Sequence, residues 1–260
     1  MGDAVAAALT RARVKVQRLR RLLAERGAQP QRVQRELRLA RLLFDLALLE
    51  APDTAARRRA LLASSSRLRA LLVRRDRELA KRGGEVRLLL ARVESRLARY
   101  GRVRELAREV RRGWPALACD AALLEADAFS ARSKHGAAAR VLSSALSRCS
   151  GEQARLARYK LAWAEIRRRR LGPGSRQLEA LLSSALPALF RQRVLRDLAA
   201  AWMAREAPRG AASLLVRHGG KTLGFELAEQ VASRLLERQR AVASESLCRR
   251  ALALSPPRAA

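Results

Sequence analysis

Hydrophobic positions recur every three or four residues along most of the chain, and no stretch sustains the alternation of a β-strand. The segment 31–50 shows the pattern in one apolar stripe, formed by Val33, Leu37, Ala40, Phe44, Ala47 and Leu48. This spacing places the side chains on one face of an α-helix. Most apolar residues are alanine and leucine, which are strong helix formers, and β-branched residues are sparse. The sequence therefore predicts an all-α protein.

Glycine and proline divide the first 84 residues into long, arginine-rich helical segments. Asp53 or Thr54 can cap the third of these segments, which is predicted to end before Gly83-Gly84. Short connections between the segments predict antiparallel neighbours. We assign residues 1–84 to an N-terminal helical region, which is either a cap or a set of degenerate repeats.

Beyond residue 84 the small residues become periodic. They stand 35, 36, 37 and 33 residues apart, at Ala91, Ala126, Ala162, Ala199 and Ala232. Further small or apolar residues follow several of these alanines at distances of three, twelve, sixteen and nineteen residues. A period of this length, built from two helices and a turn, is typical of a helical solenoid. Residues 85–256 are therefore predicted to form the repeat array, and residues 257–260 a C-terminal tail.

This spacing resembles the tetratricopeptide repeat family over roughly residues 85–256. In that pattern a small residue on the first helix receives a large one from the second, and a proline ends the second helix. The string YKLAW, residues 159–163, and the closing LALSPP resemble repeats of bacterial envelope and motility-associated members of the family. The resemblance implies an α-solenoid of antiparallel helix pairs. An array of HEAT-like pairs is the alternative.

Two features depart from the family's pattern. Glu125 and Glu165 stand where the family usually has an apolar or aromatic residue. Gly172-Pro173-Gly174 replaces the ordinary tight turn of the third unit, and we expect it to shift the second helix of that unit to about residues 175–186.

The net charge is +31, and only five of the 55 basic residues are lysines. A lysine-poor chain rich in alanine, arginine and leucine is typical of GC-rich genomes, so codon bias is an alternative to selection as the source of part of the charge. Whatever its origin, such a surface attracts nucleic acids and anionic headgroups at low salt. The charge therefore keeps open a second function, nucleic-acid binding, although no zinc finger, RRM or KH motif supports it.

The sequence indicates no catalytic, cofactor or metal site. The string HGGKTLG, residues 218–224, contains GKT, but Leu215 stands where a P-loop needs its first glycine and no strand precedes it. His135 and His218 have no partners at metal-ligand spacing. Three cysteines without a CxxC pair are predicted to be buried free thiols. We therefore expect a protein that is not an enzyme.

The first residues lack the pattern of a signal peptide, and no segment of about 18 uncharged apolar residues could span a membrane. These features predict a soluble, cytoplasmic protein. A leader hidden by a mis-assigned start would leave an envelope location open.

The family resemblance implies a concave groove lined by first helices, which takes up peptides or partner proteins. Transfer of the groove positions, unit by unit, gives the candidates Asp127, then Tyr159, Trp163 and Arg167, and then Arg193, Arg196 and Met203. Two aromatic rings beside three arginines suit an extended acidic segment, through stacking and charge-assisted hydrogen bonds. The alternative is that the two rings only pack against neighbouring helices.

Arg167 opens a run of four arginines, residues 167–170. Four successive helical residues turn through about a full circle, so they cannot all face one partner. The run is therefore predicted to be a solvated helix end, with Arg167 facing the groove and Arg168 and Arg169 lying over neighbouring helices. A dedicated phosphate site is the alternative.

Overall fold

The structure, a computed structural model, describes residues 2–24, 29–74, 77–204 and 210–254. Over these residues the chain is all-α and forms no β-strand, as predicted. It divides into two compact units, Met1–Ser133 and Lys134–Ala260. The boundary proposed at residues 84 and 85 stays a prediction, and the tail at residues 257–260 lies outside the described part of the chain.

The first unit consists of helices packed side by side in chain order. Its helices are α1 (Gly2–Ala24), α2 (Gln29–Leu49), α3 (Ala55–Val73), α4 (Arg77–Arg96), α5 (Tyr100–Gly113) and α6 (Ala118–Ser130), with one 3₁₀ turn at Pro115–Leu117. Thr54 caps α3, and its hydroxyl accepts a hydrogen bond from the backbone N–H of Arg57 at 3.2 Å. Of the two residues proposed as this cap, Thr54 fills the role.

The second unit, taken by itself, has the same kind of arrangement. Its helices are α7 (His135–Ala145), α8 (Gly151–Arg167), α9 (Leu171–Leu182), α10 (Ala188–Met203), α11 (Ala211–Glu237) and α12 (Ala241–Ala253), with a 3₁₀ turn at Leu146–Arg148. Each of these helices packs against the next one in the chain. Gly220 interrupts α11 with a φ of 71°, so α11 is two helical segments that meet at a kink. The kink lies within the HGGKTLG string, residues 218–224.

The alanines that mark the period are buried, as the spacing predicts. All five, Ala91, Ala126, Ala162, Ala199 and Ala232, expose at most 3% of their surface. In the second unit a small residue lies twelve positions after each alanine, at Gly174, Ala211 and Ser244, and all three are buried. The Ser244 hydroxyl donates to the Ala232 carbonyl at 2.8 Å. Small residues on paired helices therefore allow the close approach on which the repeat depends.

The turn within each pair repeats as well, although no sequence motif marks it. The residue seven positions after a period alanine has a positive φ in four of the five units, at Ala98, Ser133, Arg169 and Gln239. The fifth such position lies outside the described residues. In three of these turns, the residue that follows the left-handed residue donates its backbone N–H to a carbonyl oxygen. That carbonyl belongs to the residue four positions before the left-handed one. A left-handed residue closed by this hydrogen bond is a Schellman-type helix end, where glycine is usual.

Replacement of a left-handed residue by glycine should stabilise the protein. For Ala98→Gly we expect a gain of about 0.5–1 kcal/mol in the free energy of unfolding, because glycine adopts a positive φ without steric cost. The matched control is Ala70→Gly on the exposed face of α3, where glycine should cost about 1 kcal/mol. Urea unfolding measures both, and a loss of stability in Ala98→Gly would contradict the turn geometry.

The prediction that Gly172-Pro173-Gly174 displaces the second helix of its unit is wrong. The helix α9 spans Leu171–Leu182, so these three residues form its first turn. Proline is tolerated in a first helical turn because its missing N–H would have no intrahelical partner there. Gly174 is needed for packing, since a Cβ atom at this position would lie 3.0 Å from the Ala162 carbonyl oxygen.

The prediction that the third segment ends before Gly83-Gly84 is also wrong. The helix α3 ends at Val73, and both glycines lie inside α4. The indole of Trp114 packs on them, and a Cβ atom on Gly84 would lie 2.5 Å from the Trp114 Cγ atom. These glycines make room for a large side chain and do not end the helix.

Glu94 is the most completely buried carboxylate that the described residues contain. It accepts hydrogen bonds from Ser65 and Arg69, each at 2.7 Å, and forms an ion pair with Arg99 at 3.3 Å. Burial by itself would raise the pKa of Glu94, but these hydrogen bonds and the two guanidinium charges hold that pKa below its ordinary value. The cluster joins α3 to α4.

Glu125 shows how the repeat accommodates a charge at a place that usually holds an apolar residue. Its side chain is buried, and its two oxygens accept from Arg108 at 2.9 Å and Arg111 at 2.6 Å. Both arginines lie on α5, so the carboxylate is neutralised by the neighbouring helix. Part of the basic composition therefore stabilises the fold through ion pairs.

The prediction of three buried free thiols is wrong. Cys248 is exposed on α12. Cys119 is buried and Cys149 is half-buried, but neither is a free thiol. Cys248 is therefore the free thiol of this chain.

Candidate functional site

Helix α8 presents three of the predicted site residues on one face. Tyr159, Trp163 and Arg167 follow one another at intervals of four residues, which places them along a single helical stripe. Tyr159 and Trp163 are half-buried and Arg167 is exposed. The stripe thus offers two partly accessible rings and one guanidinium.

Asp197 on α10 holds the polar ends of both rings. Its Oδ2 atom accepts a hydrogen bond from the Tyr159 hydroxyl at 2.6 Å and from the Trp163 indole N–H at 3.3 Å. Burial, and then the hydrogen bond to Asp197, raises the pKa of Tyr159, so its hydroxyl stays protonated at neutral pH. Asp197 therefore fixes the orientation of both aromatic side chains. It was absent from the predicted site.

Arginines lie over the faces of the two rings. The Arg193 guanidinium carbon is 5.9 Å from the centre of the Tyr159 ring, and the Arg167 guanidinium carbon is 5.9 Å from the Trp163 ring. These distances are within the range of cation–π attraction. The Tyr159 ring also contacts Phe190 edge-to-face, with 5.3 Å between centroids. Tyr159 therefore packs against the core of the unit. It also contributes to the surface that carries the arginines, so packing is not its only role.

Arg196 lies on the same surface of α10, one turn after Arg193, and both are exposed. None of Arg167, Arg193 and Arg196 forms an ion pair with any residue that the structure describes. The carboxylate among them, Asp197, already accepts from Tyr159 and Trp163. We call this set the aromatic–arginine surface: Tyr159, Trp163, Arg167, Arg193, Arg196 and Asp197.

Met203 lies beyond this surface, where α10 meets the second segment of α11. It is half-buried and lines an open cleft of about 400 Å³ together with Glu229, Gln230, Ser233, Arg234 and Glu237. Glu229 stands three residues before Ala232, as Tyr159 stands three before Ala162. The equivalent position is therefore aromatic on α8 and acidic on α11, so the basic character of the surface ends at α10.

Asp127, the remaining predicted site residue, lies on α6 in the first unit and is half-buried. The four arginines of residues 167–170 do not share one partner, as predicted, although Arg168 pairs within its own helix and not with a neighbouring one. Arg167 covers the Trp163 ring, whereas Arg168 and Arg170 pair with Glu165 at 3.2 Å and 3.5 Å. The run is thus a helix end whose members have different partners.

The sequence features that could suggest chemistry have structural roles. No group of three or more potential metal ligands occurs among the described residues. In the HGGKTLG string Gly220 forms the kink of α11, and Gly224 lies against the backbone of Leu215 and Val216. Burial, and then the nearby charges of Arg191 and Arg217, lower the pKa of His218. Within the described part of the chain, no helix is both long enough and apolar enough to cross a membrane.

The structure resembles solved helical-repeat structures at low sequence identity. The apo form of RapI aligns with a TM-score of 0.50 and 12% identity, and the match covers 82% of this chain and 96% of RapI. A Rap protein complexed with competence and sporulation factor aligns with a TM-score of 0.42 and 10% identity, over 97% of this chain and 98% of that one. No protein-family model and no curated protein matches the sequence. The RapI match supports the helical-repeat fold and gives no support to the envelope or motility subgroup.

Proposed function

We propose that this protein is a non-catalytic interaction scaffold that binds an extended acidic segment of a partner protein across α8 and α10. The observation that carries the proposal is the aromatic–arginine surface. Its rings are held in place by Asp197, and its three guanidinium groups have no carboxylate partner among the described residues. Arginine binds carboxylates through paired hydrogen bonds, and rings with fixed orientation lose little entropy on binding.

The proposed ligand lies over α8 and α10 and does not extend as an acidic segment over α11. Glu229 on α11 would repel further carboxylates, whereas Glu237 is paired with Arg234. Met203 in the adjoining cleft offers apolar contact to a side chain at the end of the acidic stretch. Asp127 takes no part in this proposal.

Nucleic-acid binding is the weaker candidate, because no nucleic-acid-binding motif accompanies the charge and some of the arginines in both units pair with carboxylates. Glu94, Glu125 and Glu165 each pair with two arginines. We expect unrelated oligonucleotides to bind only at low salt. At roughly 0.15 M salt their dissociation constants should fall in or above the non-specific range of about 10⁻⁴ to 10⁻⁶ M.

The test is a fluorescence-anisotropy titration of labelled, extended acidic peptides at near-physiological salt. The double variant Arg193→Ala/Arg196→Ala should bind an acidic peptide about tenfold more weakly than the wild type, since each charge-assisted hydrogen bond contributes about 1.5–3 kcal/mol before solvent screening. The control is Arg176→Ala, which removes an exposed arginine from the second helix α9. It should leave the affinity nearly unchanged.

Equal affinities in the double variant and the wild type would contradict this site. An equal loss in Arg176→Ala would show that net charge, and not the aromatic–arginine surface, attracts the peptide. Nanomolar affinity for one oligonucleotide sequence at physiological salt would replace the scaffold proposal by the nucleic-acid one.

A further inference from the structure

Helix α12, the last described helix, has two faces of different character. Ser244, Leu247 and Ala251 are buried against α11. On the opposite side Val242 is 81% exposed and Leu252 is 68% exposed. These two aliphatic side chains leave apolar area on this face that another molecule can cover.

The exposed side chains form a regular stripe. Val242, Glu245, Arg249 and Leu252 follow at intervals of three, four and three residues, which places all four on one narrow face of the helix. Glu245 and Arg249 form an ion pair at 2.6 Å in the middle of the stripe, and both are well exposed. We call this set the α12 stripe. Its residues are, in chain order, apolar, acidic, basic and apolar.

The α12 stripe is self-complementary when two copies lie antiparallel. If the centre of symmetry is at Leu247, Val242 of one copy faces Leu252 of the other, because both lie five residues from the centre. Glu245 then faces Arg249, because both lie two residues from it. A two-fold axis repeats each contact, so two apolar pairs flank two ion pairs.

We propose that the protein self-associates through antiparallel pairing of the α12 stripe of two copies. The occupant is a second copy because one helix supplies both halves of every contact, with apolar groups facing apolar groups and opposite charges facing each other. The surface is only one helix long, so the dimer is weak, as expected of an interface below about 1,200 Å². The ion pair within each helix would become part of a four-charge cluster across the interface. This proposal is independent of the peptide-binding surface.

Cys248 provides a direct geometric readout. It flanks the α12 stripe and is the free thiol of the chain. In the antiparallel pair the two Cys248 residues lie on either side of the centre, displaced by only about 3 Å along the helix axis. A short-spacer bismaleimide should therefore join two full-length chains through Cys248.

The test is sedimentation equilibrium of the full chain over a range of concentrations, at moderate salt. We expect wild type to show a dimer fraction that rises with concentration. Glu245→Arg places like charges opposite each other twice, and should weaken association at least about tenfold. The charge swap Glu245→Arg/Arg249→Glu should restore it, because every pair regains opposite charges. The control is Glu226→Arg, which makes the same charge change at an exposed position of α11 and should not weaken association.

Circular dichroism verifies that each variant is folded. A wild type that stays monomeric at all concentrations would overturn the proposal. So would a dimer that Glu245→Arg does not weaken, or one that the charge swap does not restore. A dimer that cannot be cross-linked through Cys248 would exclude the antiparallel arrangement.

Discussion

Gly224→Ala should destabilise the protein by about 3 kcal/mol. A Cβ atom on Gly224 would lie 2.6 Å from the Leu215 carbonyl oxygen and 2.7 Å from the Val216 Cα atom. Both neighbours are backbone atoms, so no change of side-chain conformation can relieve the contact. The two segments of α11 would have to separate at the kink, and the packing of Leu215 and Leu227 in the core of the unit would loosen.

The matched control is Gly101→Ala on α5. A Cβ atom there would meet no atom within 4 Å, so alanine should stabilise the helix by up to about 1 kcal/mol. The same substitution thus has opposite signs at the two sites. Urea unfolding of both variants measures the difference, and a Gly224→Ala protein as stable as wild type would contradict the close approach of the two segments.

Removal of both guanidinium groups around Glu94 should cost about 3 kcal/mol at neutral pH. In Arg69→Ala/Arg99→Ala the buried carboxylate keeps only its hydrogen bond from Ser65. This cost lies at the lower end of the range of stability losses for broken buried ion pairs, because both arginines are themselves half-exposed. The control Arg102→Ala breaks an exposed pair with Glu105 and should change stability by less than about 0.5 kcal/mol.

The same double variant should reverse the pH dependence that Glu94 confers. In the wild type the pKa of Glu94 is lowered by folding, so its contribution is present above the unfolded pKa and is lost as pH falls through the folded pKa. Without the arginines, burial dominates and raises that pKa, so the penalty grows as pH rises. Urea unfolding at pH 7 and near pH 4 should therefore show that the double variant loses less free energy of unfolding, relative to the wild type, at the lower pH. A deficit that does not change with pH would mean that lost packing causes it.

The repeat could be predicted because a small residue recurs once in each period of the sequence. Ala162 and Ala232 must be small wherever two helices approach closely, and this need recurs at a spacing that the sequence displays. The turns could not be predicted in the same way. Ala98, Ser133, Arg169 and Gln239 share a left-handed conformation but no chemical property.

Glycine and proline predict a break in places where packing gives them another role. Gly172-Pro173-Gly174 has the composition of a loop, yet proline suits a first helical turn and Gly174 occupies the small position of the second helix. Its distance of twelve residues from Ala162 is the signal that could have corrected the interpretation. Gly83-Gly84 had no such signal, because Trp114, which requires them, lies thirty residues further along the chain.

The candidate site was predicted in part. The four-residue spacing of Tyr159 and Trp163 placed the rings on one face, and Arg193 on the next first helix could be found by equivalence. Asp197 was missed because its role depends on the packing of α10 against α8, which spacing within one helix does not reveal. A lone acidic residue among the arginines of α10 was the available signal.

The most direct measurement of the central claim is the tryptophan emission of the protein during titration with an extended acidic peptide. Of the three tryptophans, Trp202 is buried in the core and Trp114 packs on Gly84, whereas Trp163 lies in the aromatic–arginine surface. We expect the peptide to change the emission of wild type. Trp163→Phe should still bind the peptide by anisotropy but lose that change. An emission change of the same size in Trp163→Phe would place the peptide elsewhere and contradict the account.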